Sequence, residues 1–128
     1  MILLLDTSTP ECRLAFVDGD WRYGATWEAN RDLAKGLLGY IQTQLEAQGK
    51  SWKDLTGLGV FKGPGSFTGL RIGITVLNTV SYSEKIPIVG EAGENWQDRS
   101  IQRLLSGESD KVVLPEYGGE ANITQPRK

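Results

Sequence analysis

The chain is 128 residues long with a formal net charge of −2, and 39% of its residues are apolar and 23% charged. That size supports one core, and the scattered Lys and Arg give no basic stripe for wrapping nucleic acid. The sequence holds no histidine and a single cysteine, Cys12, which excludes His-based triads, an intrachain disulfide and Cys-cluster metal sites.

Ile2-Leu3-Leu4-Leu5 reads as a fully buried strand, in an apolar N-terminal run from Met1 that meets Asp6 after five residues. It has no basic lead-in and is too short for a signal core or a membrane span, so a cytoplasmic protein without membrane contact is expected. Asp6-Thr7-Ser8-Thr9-Pro10 is a polar turn, and residues 12–17 form a second strand in which Cys12 is read as a packing thiol. Asp18-Gly19-Asp20 signals a hairpin into a third strand at 21–27. Helical spacing then runs over 31–48 and stops before Gly49, followed by a strand at 58–61 and a second helix at 66–83. A short strand at 86–89, a helix over about 92–106 and a strand at 112–114 complete the expected order, before a Pro/Gly-rich tail. Three meandering strands, then helix, strand, helix and strand, imply an α/β fold with a mixed five-stranded sheet. Trp21, Trp27, Trp52 and Trp96 lie far apart without basic neighbours and are read as packing residues rather than a base-stacking set.

Residues 63–73, Gly-Pro-Gly-Ser-Phe-Thr-Gly-Leu-Arg-Ile-Gly, are the most informative stretch. Ser66 is a good N-cap for the helix that follows. Gly65, Gly69 and Gly73 recur every four residues, share one face and leave it almost bare of side chains. Two readings of that face stand side by side: a corner packed on the chain's own sheet, or a surface for another molecule. The apolar stripes pose the same question. At about 100° per residue, Leu33, Leu37 and Tyr40 form one stripe of the first helix, with Ala34, Leu38, Ile41 and Leu45 beside it. On the second helix Phe67, Leu70, Ile74 and Leu77 line one side, and Gly69, Gly73, Val76 and Val80 line a neighbouring one. One stripe of each faces the sheet; the others need cover, from each other or from a partner.

Leu3-Leu4-Leu5-Asp6-Thr7-Ser8-Thr9 before a hairpin, together with the ungapped motif at 63–73, resembles the TsaB (YeaZ) family of tRNA threonylcarbamoyladenosine biosynthesis. The likeness runs through about residue 90, and the stretch from Leu114-Pro115-Glu116-Tyr117 to Ile123-Thr124 resembles the family's C-terminal end. The resemblance implies an actin-like ATPase (ribonuclease H-like) fold, with residues 1–90 as a first lobe and 91–128 as a helix and tail in place of the second. It further implies a non-catalytic scaffold that binds a TsaD-like catalytic subunit through the two long helices, with a TsaE-like ATPase joining the assembly. The interface expected on that basis comprises Leu33, Leu37, Tyr40, Gly65, Phe67, Gly69, Leu70, Gly73, Val76 and Val80, and it would also serve a homodimer of the isolated chain.

Asp6, Thr7, Ser8 and Thr9 are the candidate contacts for a nucleotide phosphate, since active relatives carry a turn there in which an Asp precedes a Gly. Thr7 puts a branched side chain at the glycine position, so no cofactor is expected on the isolated chain, ATP and Mg²⁺ belonging to the complex. A two-metal nuclease fails on ligand count: the fourth strand ends in Phe61-Lys62-Gly63 without an acid, and Asp32 and Glu46 stand alone on the first helix. A self-associating structural protein, and a remnant of the ATPase fold with weak nucleotide binding, are the alternative readings.

Overall fold

The computed structural model describes residues 1–115; the family-like tail therefore extends beyond the described residues. Five strands form one mixed sheet: β1 (Ile2–Asp6), β2 (Glu11–Asp18), β3 (Trp21–Glu28), β4 (Gly57–Phe61) and β5 (Ile88–Glu91). Their order is β3-β2-β1-β4-β5, with β1–β2 and β2–β3 antiparallel and β1–β4 and β4–β5 parallel. Leu3 pairs with Phe16 on one side and Leu58 on the other, so β1 is central and its residues 2–5 are buried on both faces. The hairpin between β2 and β3 turns at Gly19, whose φ of 61° suits a residue without a Cβ.

Helices cover both faces. α1 (Leu33–Ala47) and α2 (Phe67–Glu84) lie on one face, and α3 (Trp96–Leu105) lies on the other. Under α1 and α2 the core joins Leu3, Leu5, Phe16, Leu58 and Val60 of the sheet to Leu37, Ile41 and Leu77 of the helices. α1 buries the single row Leu33, Leu37, Ile41 and Leu45, a spacing of four that keeps these side chains on one face. The stripe expected to run Ala34, Leu38, Ile41, Leu45 is thus divided: its second half enters the core and its first half faces outward. The smaller core under α3 joins Ile2, Leu4, Ala15 and Val17 to Trp96, Ile101 and Leu104. α3 comes close because β4 offers Gly57 and Gly59 there; a Cβ on Gly59 would stand 2.9 Å from Ser100 Cβ. No helix among the described residues is long and apolar enough to cross a membrane.

Three boundaries differ from expectation for local reasons. β5 starts at Ile88 instead of residue 86, because the Ile86 amide donates to Ser81 O (3.2 Å) at the end of α2 and Pro87 has no N–H. α3 starts at Trp96 instead of 92, after left-handed residues at Gly93 (φ 76°) and Asn95 (φ 60°). Residues 112–114 form no strand. There the Asn78 side chain takes both backbone polar groups of Val113, donating to its carbonyl (3.0 Å) and accepting from its amide (2.9 Å). Val113 itself is buried against the core.

A charged cluster holds this last segment on the sheet. The Arg103 guanidinium donates to Glu91 (3.0 Å), Glu108 (2.8 Å) and Asp110, and Arg99 donates to Glu91 (2.7 Å). Asp110 also accepts the Gly90 amide (2.8 Å), and its own amide donates to Ile88 O (2.7 Å), so side chains and an irregular segment cap the free edge of β5. Burial pushes the Glu91 carboxyl up, but Arg99 and Arg103 outweigh it and hold the group below the usual carboxylate range. Asp110 is held low in the same way, against burial, chiefly by Arg103 and the Gly90 amide. Carboxyls depressed on folding stabilise the fold above their unfolded pKa, about 4, and lose that contribution as pH falls through the lower folded value. Arg103→Gln is expected to cost about 1–2 kcal/mol at neutral pH, hydrogen bonds to charged groups being worth that much where water still reaches them. In urea titrations the gap to wild type should close below about pH 4, as both carboxyls protonate. An equal gap at pH 3 and pH 7 would show that the cluster acts by packing alone.

Candidate partner-binding face and its seat

Two features of the sequence meet in one place: the polar turn after β1 and the glycine motif opening α2. Ser66 caps α2 as its residue type suggests, its hydroxyl accepting the Gly69 amide (3.2 Å). The turn lies directly on the glycine face. Ser66 N donates to Ser8 O (2.8 Å), and Thr7 Oγ1 donates to Gly69 O (2.6 Å). An added Cβ would stand 2.4 Å from Ser8 Cβ at Gly65, 2.3 Å from Thr7 O at Gly69 and 2.3 Å from Thr7 Oγ1 at Gly73.

This chain's own turn packs on the glycine face: Gly73 is buried and Gly69 half-buried there, while Gly65 stays exposed beside Ser8. Of the two readings open in the sequence, the corner packed within the chain is the one realised. Its physical reason is Thr7, which is 1% exposed and as bulky as the glycines are small. Substituting Leu at Gly69 or Gly73 would disrupt this seat rather than test an interface.

The same turn bears on nucleotide binding. Asp6 Oδ1 accepts the Ser8 amide (2.8 Å) and Thr9 Oγ1 donates to Glu11 O (2.9 Å). Where a phosphate would approach a glycine amide, the Thr7 side chain fills the space against Gly73. The turn is a clamp on α2, and its Thr7 side chain leaves no open glycine amide there for a phosphate. Among the described residues no group of three or more His, Cys, Asp or Glu side chains could hold a metal ion. Cys12 is fully buried, and burial, with the Asp6 charge adding to it, pushes its thiol up to about 12. It is a packing residue, inert as a nucleophile.

The remaining interface candidates divide cleanly. Leu33, Leu37, Leu70 and Val80 are buried in the core, like Gly73. Tyr40 is half-buried, its ring stacked on Trp27 at 4.9 Å. Phe67 is 54% exposed and Val76 half-buried, so these two reach the outer surface of the helix pair. Ala34 and Ile72 stand beside Val76, and Leu38 on α1 is 50% exposed. Ile72 was absent from the stripes read in the sequence, although Thr68, Ile72 and Val76 form a row of spacing four that signals it. Ala34, Thr68, Arg71, Ile72, Thr75 and Val76 line a depression of about 400 Å³ between the two helices.

The tryptophans pack as expected in three cases: Trp27 on Tyr40, Trp96 on Phe61 (5.4 Å), and Trp52 against the larger core. Trp21 is 44% exposed and stacks on Tyr23.

The chain is similar to known proteins. The family model for TsaD, the tRNA N6-adenosine threonylcarbamoyltransferase, matches residues 27–92. The tRNA threonylcarbamoyladenosine biosynthesis protein TsaB of Escherichia coli (strain K12) is 34% identical over 131 residues, 94% of this chain and 56% of that protein. The protein of the same name from Buchnera aphidicola subsp. Schizaphis graminum (strain Sg) is 34% identical over 124 residues, 92% of this chain and 59% of its own length. The solved structure of YeaZ from Pseudomonas aeruginosa superposes with a TM-score of 0.66 at 27% identity, covering 71% of this chain and 43% of that one. The chain belongs to the TsaB (YeaZ) family. Its mixed sheet with helices on both faces is the actin-like, ribonuclease H-like fold expected of a TsaB-like sequence. The chain spans between half and three fifths of the length of these two curated TsaB relatives.

Proposed function

We propose that this chain is a non-catalytic scaffold subunit of the machinery that forms threonylcarbamoyladenosine in tRNA, and that it holds a TsaD-like catalytic subunit on the outer face of α1 and α2. The observation that carries the reading is the apolar surface left over on that face. Both helices already bury a complete inner row, yet Leu38 and Phe67 stay about half exposed, and Ala34, Ile72 and Val76 line a depression between the helices. Apolar side chains grouped on two adjacent helices are what a helical interface uses. The clamp of Asp6–Thr9 on α2 supports the non-catalytic part, because it uses the turn's polar groups to fix the helix in place.

The test is light scattering behind size exclusion, with the chain alone and then mixed with the cognate threonylcarbamoyltransferase. Co-elution as a complex of defined mass is expected. Separate elution of both proteins at concentrations of tens of micromolar would refute the scaffold reading.

A further inference from the structure

We propose that two copies of this chain join along β3, edge to edge and antiparallel, so that one sheet runs through both. β3 is the outermost strand on its side, and among the described residues no backbone group bonds to its outer edge. The opposite edge, β5, is capped by Asp110 and its neighbours. β3 has none of the devices that blunt an exposed edge: its 8 residues pair with β2 in unbroken register, with no proline and no bulge.

That register fixes which groups point outward. Asp18 and Trp21 flank the two-residue turn and form a hydrogen-bonded pair. The Ala29 amide keeps the same phase at the far end, donating to Pro10 O (3.1 Å). Tyr23, Ala25 and Trp27 therefore direct their amides and carbonyls to β2, and Arg22, Gly24, Thr26 and Glu28 direct theirs outward.

A second copy fits this edge because the edge is complementary to itself. With Ala25 on the twofold axis, Arg22 stands opposite the other copy's Glu28, and Gly24 opposite its Thr26. Every outward amide and carbonyl then meets an outward partner, and each charge faces its opposite. Arg22 and Glu28 share one face of the sheet, the side on which the Arg22 guanidinium donates to Gln97 of α3 (3.0 Å). A shift of two residues one way would set Asp20 against Glu28, and the other way would carry Arg22 past the end of the strand. A shift of one would set outward groups against inward ones. On the other face α1 lies over β3, since an added Cβ on Gly36 would stand 2.7 Å from the Trp27 ring. At about 100° per residue the small Thr43 and Ala47 fall on the same flank as Gly36, so the helix keeps a low profile beside the axis. The outer face of α1 and α2 takes no part in this contact.

The test is sedimentation equilibrium with Leu38→Asp in every sample, which removes association through the outer face of α1 and α2. A dimer at tens of micromolar is expected. Arg22→Glu and Glu28→Arg each set like charges against each other at both ends of the ladder, and each should weaken dimerisation tenfold or more. Mixed in equal amounts, the two reversals should pair with each other, since each supplies the charge that the other lacks. The double reversal in one chain should restore the dimer too, and amide exchange in the dimer should slow at residues 22, 24, 26 and 28. A monomer at that concentration overturns the proposal. So does a dimer that both single reversals leave within about twofold, or a pair of reversals that do not rescue each other.

Discussion

Gly69→Ala destabilises this chain by about 2 kcal/mol or more, and no second substitution at Thr7 restores it. An exposed helix would gain about 1 kcal/mol from the same change, since glycine is the poorer helix former. Here the new Cβ would stand 2.3 Å from the Thr7 carbonyl oxygen, a backbone atom that cannot leave without moving the turn. The overpacking cost, typically 1–3 kcal/mol and more where backbone must shift, exceeds the propensity gain. Gly73→Ala is expected to be destabilising too, but rescuable. Its Cβ meets the Thr7 side chain, with Oγ1 at 2.3 Å, Cγ2 at 3.0 Å and Cβ at 3.2 Å. Thr7→Gly removes all three atoms, so the double variant should recover most of what Gly73→Ala loses, beyond the cost of losing the Thr7–Gly69 hydrogen bond. Urea denaturation of the two double-mutant cycles separates the cases. Rescue of Gly69→Ala by Thr7→Gly, or indifference of both glycines to alanine, would mean that the turn does not sit on α2 as described.

The same glycines mark where sequence reasoning runs out. Spacing of four places Gly65, Gly69 and Gly73 on one face, and that much is legible without coordinates. Periodicity identifies a face but not what lies opposite it, and the opposing Thr7 is about 60 residues away in the chain. A signal did exist: a branched residue stands in the turn where active relatives carry glycine, and a bulky side chain there calls for missing side chains across from it. The strands were legible because β1 is apolar throughout, as a strand buried on both faces must be, and because the Asp18-Gly19-Asp20 turn fixes the β2–β3 register. The inner row of α1 was assigned to the wrong neighbours. Leu33, Leu37, Ile41 and Leu45 share an exact spacing of four, yet the sequence offers Ala34 and Leu38 at nearly the same angle. Only the tilt of the helix on the sheet decides between them. The strand at 112–114 was out of reach for another reason: the Asn78 amide does the pairing that a neighbouring strand would have done, and a side chain in that role leaves no mark in hydropathy.

Leu38→Asp combined with Phe67→Asp abolishes complex formation with the threonylcarbamoyltransferase while leaving the fold intact. Both side chains are half exposed, so the folded monomer loses little. Asp at position 67, the first residue of α2, even suits the positive end of that helix, and Asp within α1 costs roughly 0.5 kcal/mol in propensity. In a complex the balance reverses. Each carboxylate would be pressed into the apolar centre of an interface, and an unpaired charge there costs several kcal/mol, enough to weaken association by a hundredfold or more. The control is Leu105→Asp, which places the same charge on an equally apolar, more exposed residue of α3 on the opposite face of the sheet. It should bind like wild type in the co-elution assay. If Leu105→Asp blocks the complex and the Leu38/Phe67 pair does not, the catalytic subunit docks on the α3 side, and the apolar surface of α1 and α2 belongs to some other contact.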